Sequence, residues 1–197
     1  MPPASTPGTD HAPAALPSSA PGGATIWLTG LPSAGKTTVA LAAAELLRAD
    51  GRAVEVLDGD EIRAFLSADL GFSREDRGKQ VARVGWIARL LARNGVLAFA
   101  PLVSPYAADR DALKAGSKAE GLAFLEVYAA APVEVCAHRD VKGLYAGQRT
   151  GAVSGLTGVD APYEIPTAPD LVLRTHEESV AASASRLVGL LAERGLA

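Results

Sequence analysis

The stretch GLPSAGKTT, Gly30 to Thr38, follows the apolar run ATIWLT and precedes VALAAAELLRADG. Gly30, Gly35, Lys36 and Thr37 satisfy the pattern G-x-x-x-x-G-K-[ST]. Its glycines permit a backbone path that turns several N–H groups inward onto phosphate oxygens. A β-rich run before it and a helical run after it set the positive end of a helix behind the loop. On this pattern Lys36 reaches the β and γ phosphates of a nucleoside triphosphate, ATP being the expected one, and the Thr37 hydroxyl ligates the magnesium that bridges them. Leu31, Pro32, Ser33 and Ala34 complete the loop, and Thr38 extends the helix start. The competing reading is a glycine-rich turn that matches by accident; the strand before it and the helix after it argue against that.

Working outward, short β-rich runs alternate with longer segments of helical period. The strands are ATIWLTG, AVEVLDGD, VLAFAPLVS, LAFLEVYAA and PDLVLRT. Helices are expected over residues 35–49, 61–67, 75–94, within ADRDALKAGSKAEG, and over 177–194. Such alternation predicts an α/β domain of the P-loop NTPase kind: a central parallel sheet of about five strands, joined by right-handed helical crossovers. Between Arg139 and Pro166 lies a segment rich in Gly and charge without clear period. A segment this long inside a compact domain reads as a flexible lid or binding element. Residues 1–23, dominated by Pro, Ala, Ser, Thr and Gly, read as a disordered tail, leaving 24–197 as the domain.

With 48% hydrophobic and 21% charged residues and a formal charge of -3, the 197-residue chain has the composition of one soluble domain. The charge balance argues against sequence-independent nucleic-acid binding, which needs a basic face. No run approaches the roughly 18–20 apolar residues that span a bilayer, and the amino terminus lacks the pattern of a signal peptide. The single cysteine, Cys136, can form no internal disulfide, and no zinc spacing links it with His11, His138 or His176. A cytoplasmic protein is expected, with Cys136 a buried small hydrophobe.

The second strand ends in Asp58 and Asp60, at a carboxyl edge where ligands collect in open parallel sheets. They face the phosphate loop only if strand order sets the two strands side by side. Asp58 then serves the magnesium side, and Asp60 accepts a proton from an attacking hydroxyl; the alternative is a turn with a helix N-cap. Arg63, Phe72, Arg77 and Gln80 follow closely. Isolated arginines are usually solvated surface, but these gather beside two candidate carboxylates. Arg139, Lys142 and Arg149 bracket the flap and can close over ATP phosphates, or form a solvated basic loop. No N-K-x-D signature of GTPases and no L-S-G-G-Q of transport ATPases occurs, which leaves a small kinase.

The blocks GLPSAGKTT, EVLDGDEIR, DLGFSREDR, VSPYAADR, EVCAHRDVKGLY and GLTGVDAPYEIP, in this order and spacing, resemble the adenylylsulfate kinase family, also called adenosine 5′-phosphosulfate (APS) kinases. The resemblance runs from about Ala24 to the carboxyl end. It implies transfer of the γ-phosphoryl of ATP to the ribose 3′-hydroxyl of APS, giving PAPS, with Mg2+ and commonly as a homodimer. It makes Gly30 to Thr38 the ATP site, joined by Arg139 of the flap reading above, and places Asp58 and Asp60 near magnesium and the hydroxyl. Arg63 and Arg77 become the phosphosulfate arginines, and Phe72 an aromatic stacked on the APS adenine. Val103, with Ser104 and Tyr106 of the SPY segment, and Lys142 and Leu144 of DVKGLY become substrate-side residues. Guanidinium forks suit a dense anion, and an aromatic ring suits an adenine face; for Phe72 the bland alternative is a core residue.

The chain departs from the family pattern at Gln80, where Asn is usual, at Ala82, at Lys79, and at Leu156, where a second adenine-stacking aromatic is expected. Leucine can cover an adenine face by dispersion. Gln80 carries an extra methylene of about 1.5 Å, so a kinase for a relative of APS stays open. A non-catalytic nucleotide switch is the reading from another class; the carboxylate pair beside an intact loop argues against it.

Overall fold

The computed structural model describes residues 22–197; most of the segment read as a tail lies outside the described residues. The elements run β1 (Ala24–Thr29), α1 (Lys36–Ala49), β2 (Val54–Val56), α2 (Gly59–Phe65), α3 (Arg74–Arg93), β3 (Leu97–Pro101), α4 (Ala107–Ala119), β4 (Ala123–Ala129), α5 (Val133–Arg139), α6 (Leu144–Arg149), β5 (Leu171–Leu173) and α7 (Val180–Glu193). The sheet has the order β2-β3-β1-β4-β5, and every pairing is parallel. The expected α/β domain with a parallel sheet of five strands is therefore the architecture found.

Strand β1 is central and buried at all six positions. On one face Ile26 and Leu28 join Leu97, Phe99, Leu125 and Val127 beneath α1 and α7, which contribute Val39, Ala43, Leu47, Leu187 and Leu191. The alanines of α1 let it lie close to the sheet. On the other face Trp27 and Ala100 pack with Ile62, Val81, Val84 and Leu113 from α2, α3 and α4. Each fully buried side chain of this size contributes about 1.5–3 kcal/mol. Trp27 carries a polar N–H into this core and donates it to Ser104 Oγ at 2.9 Å.

Two expectations are corrected. β3 separates β2 from β1, and β2 ends at Val56, so Asp58 and Asp60 stand at the start of α2 rather than on a strand beside the loop strand. The 139–166 segment is not without regular structure, because α6 falls inside it, with Asp140 accepting from the amides of Tyr145 and Ala146. Helices α2 and α7 also begin at residues 59 and 180 rather than 61 and 177; Asp58 and Ser179 accept from amides of the first turns and fix those starts.

Candidate active site

The loop 30–35 leaves β1 and enters α1. Gly30 has φ +151°, and a Cβ there would sit 2.6 Å from the Ala129 carbonyl oxygen, so only glycine fits. Gly35, at φ +88°, precedes α1 with no side-chain cap and no acidic residue in the first turn. The free N–H groups and positive helix end are thus left for an anion.

The loop carbonyls, by contrast, are all tied. Lys36 Nζ donates to Gly30 O at 3.0 Å and to Leu31 O at 2.7 Å. Pro32 O accepts from the Tyr145 hydroxyl at 3.1 Å, Ser33 O from Arg139 at 3.5 Å, and Ala34 O from the Thr175 hydroxyl at 2.7 Å. Lys36 is only 8% exposed. Burial lowers its pKa to about 7, with Lys142 adding repulsion and Cys136 and Asp58 opposing.

Asp58 does two jobs. Its Oδ1 accepts from the amides of Asp60 and Glu61, capping α2. Its Oδ2 accepts from Thr37 Oγ1 at 2.9 Å, so the carboxylate reaches the loop although β3 lies between. A hydroxyl beside a carboxylate is a hard-oxygen pair of the kind magnesium takes together with phosphate oxygens and water. Asp60, more exposed, is ion-paired with Lys142 of the 139–166 segment.

Beyond the carboxylates the cavity is cationic and aromatic. Phe72 is 66% exposed and is no core residue. Guanidinium carbons of Arg63 and Arg77 stand 4.7 and 5.6 Å from its ring centre. Arg77 also donates to Phe72 O, Thr157 Oγ1 and Gly155 O, which ties α3 to the 139–166 segment. Gln80 is buried; its Nε2 donates to Gly59 O over 3.4 Å, and its Oε1 has no partner.

One cavity of about 690 Å³ joins these parts. Of the residues expected at the site, Pro32, Ser33, Gly35, Lys36, Thr37, Thr38, Asp58, Asp60, Arg63, Phe72, Arg77, Gln80, Val103, Ser104, Arg139, Lys142, Leu144 and Leu156 line it. Gly30, Leu31 and Ala34 do not. Leu31 turns outward against Gly158, and Ala34 is fully buried. Arg149 does not line the cavity either. Leu156, 5% exposed, packs with Ala34, Cys136 and Tyr145, so it is anchored in the core and offers the cavity little surface. Cys136 is buried as expected, and burial raises its thiol pKa.

The sequence reading missed Thr175, Glu178, Val180 and Ser183, which line the end near Arg139. Their signal was position: they follow β5 at the carboxyl edge of the sheet. A second concavity, about 790 Å³, lies outside Leu31 between Tyr128, Val159, Tyr163 and Ile165. Its one carboxylate, Asp160, already accepts from the amides of Gly155 and Leu156.

The family model for adenylylsulphate kinase matches residues 22–174. The chain belongs to the adenylylsulfate kinase family. It is 48% identical to a probable adenylyl-sulfate kinase of Synechocystis sp., over 84% of this chain and 91% of that one. With an adenylyl-sulfate kinase of Halothermothrix orenii it shares 46% identity over 88% and 91% of the two chains. Its fold superposes with a TM-score of 0.85 on an APS kinase of Mycobacterium tuberculosis solved with AMPPNP and APS, at 40% identity and over 87% and 99% of the chains. Among the described residues no helix is long and apolar enough to cross a membrane.

Proposed function

We propose that this family member transfers the γ-phosphoryl of ATP to the 3′-hydroxyl of adenosine 5′-phosphosulfate, giving PAPS and ADP. The observation that carries this is one cavity with a phosphate loop at one end and Phe72 beside two guanidinium groups at the other. ATP lies along the loop with its base toward Arg139 and Thr175. Lys36 leaves the carbonyls of Gly30 and Leu31 for the β and γ phosphates, regaining its full charge as it pairs. Thr37 and Asp58 would hold magnesium, which would neutralise charge on the transferring group.

The APS adenine stacks on Phe72, and Arg63 and Arg77 take the phosphosulfate. The acceptor hydroxyl then lies near Asp60, which accepts its proton once Lys142 lets go, while the hydroxyl oxygen attacks γ-phosphorus in line. The 139–166 segment acts as the lid, bringing Lys142 over the phosphates and keeping water out. Gln80 supports a second reading, a kinase for a relative of APS, because its buried Oε1 waits for a donor. We also propose a cytoplasmic homodimer; light scattering on the purified chain tests the assembly.

The deciding experiment follows ADP release with Mg-ATP and APS, AMP or no acceptor, and identifies the product by mass. APS-dependent release with a product one phosphoryl heavier than APS is expected. ADP release indifferent to APS overturns the acceptor assignment.

A further inference from the structure

We infer that Arg110 is a positioning residue for the acceptor: its guanidinium fixes the 103–105 loop, part of the acceptor half of the cavity, against the carboxyl-terminal root of the 139–166 segment. This rests on the acceptor reading above.

Arg110 lies in α4, 2% exposed, and does not line the cavity. It donates to three acceptors on three separate parts of the chain, each at 2.7 Å: Glu126 Oε1 on β4, Ser104 O on the loop after β3, and Glu164 O at the end of the flap segment. Ser104 has φ +39°, a conformation that a non-glycine residue keeps only when its surroundings impose it. Here those surroundings are Arg110 on its carbonyl and Trp27 on its hydroxyl.

The same junction is braced from other sides. Thr29 Oγ1 donates to Val103 O at 2.8 Å and pairs with the Tyr163 hydroxyl at 3.0 Å. Glu164 N donates to Pro105 O at 2.8 Å, and Glu164 Oε2 accepts from Ala107 N at 2.6 Å. Val103, Ser104 and Pro105 all line the cavity, so the acceptor wall and the flap root form one hydrogen-bonded piece.

A buried ion pair such as Arg110 with Glu126 is a poor source of stability, since apolar side chains of the same volume do as well or better. What it supplies here is direction. A planar fork reaches three acceptors at once; a lysine ammonium is a single point and cannot span them.

Arg110→Lys keeps the charge opposite Glu126 and removes the fork. With both substrates varied, KM for APS is expected to rise about tenfold, because sub-ångström misplacement of a substrate wall is felt directly, while KM for ATP stays within about twofold. Hydrogen exchange at the amides of Ala107 and Glu164 is expected to quicken together, with α1 unchanged. Equal movement of both KM values, or faster exchange throughout the sheet, would mark Arg110 as merely structural and overturn the inference. Should circular dichroism show the lysine variant unfolded, Thr29→Val, which cuts the brace between Val103 and Tyr163, must give the same split; its absence is equally fatal. A wild-type enzyme that ignores APS brings down the acceptor reading instead, and the inference with it.

Discussion

The two ends of the cavity are built in opposite ways. The phosphate-loop end is carried mainly by nine consecutive residues, Gly30 to Thr38, running from the buried central strand β1 into α1. The acceptor end gathers Phe72 and Arg77 from α3 and its approach, Arg63 from α2, and Val103 and Ser104 from the loop after β3. Its arginines are held by backbone carbonyls of neighbouring loops, Gly71 and Gly155 among them. A contiguous site is rigid because one turn dictates it; an assembled site is only as fixed as the contacts between its pieces, and it can be retuned piece by piece.

Substitutions can break this contrast, beginning with the largest effect. Lys36→Ala removes the only lysine on the loop, and kcat/KM is expected to fall about a thousandfold or more, with APS binding measured by calorimetry nearly intact. If APS binding collapses too, the two ends are not separable. Asp60→Asn should lower kcat by about a hundredfold or more, while the Kd for ATP changes by less than about twofold. Phe72→Ala is expected to raise KM for APS about tenfold through lost stacking and to leave KM for ATP alone; an equal loss for both substrates would mean that Phe72 shapes the whole cavity.

The smallest effect over any one pH unit is a pH dependence confined to the phosphate-loop end. The unfolded chain has an ordinary lysine, whereas the folded, ligand-free chain holds Lys36 at about 7. Between roughly pH 7 and 10 the unfolded state therefore binds more protons, and the contribution of Lys36 to stability rises with pH across that window. ATP restores the charged form, so its affinity should fall across the same window, by at most about tenfold per pH unit, with proton uptake on binding near neutral pH. Calorimetry in buffers of different ionisation enthalpy reads that uptake; none at pH 7.5, or the same value in Lys36→Met, would refute the assignment.

The same contrast explains what could be read from the chain. The loop, the alternation of strands and helices, and the carboxylate pair are local patterns, and the residues that carry them sit where those patterns imply. Strand order is not local, so the condition set for Asp58 was wrong in form: β3 intervenes, yet the turn into α2 swings the carboxylate to Thr37. Leu156 lines the cavity as its position implies, but its anchoring depends on Cys136 and Tyr145, which lie in other elements. Arg110 stood inside a quoted block as one more basic residue, since its partners at 104, 126 and 164 are joined only by folding.

The tied carbonyls of the phosphate loop carry one more consequence. A peptide plane whose oxygen is held from outside cannot rotate to point that oxygen at a phosphate, so the dipoles of Pro32, Ser33 and Ala34 are oriented before any anion arrives and need no reorganisation when it does. The ties at Pro32, Ser33 and Ala34 come from α6, α5 and the turn after β5. Three separate parts of the fold thus hold the outer surface of a single turn in the orientation its inner surface needs.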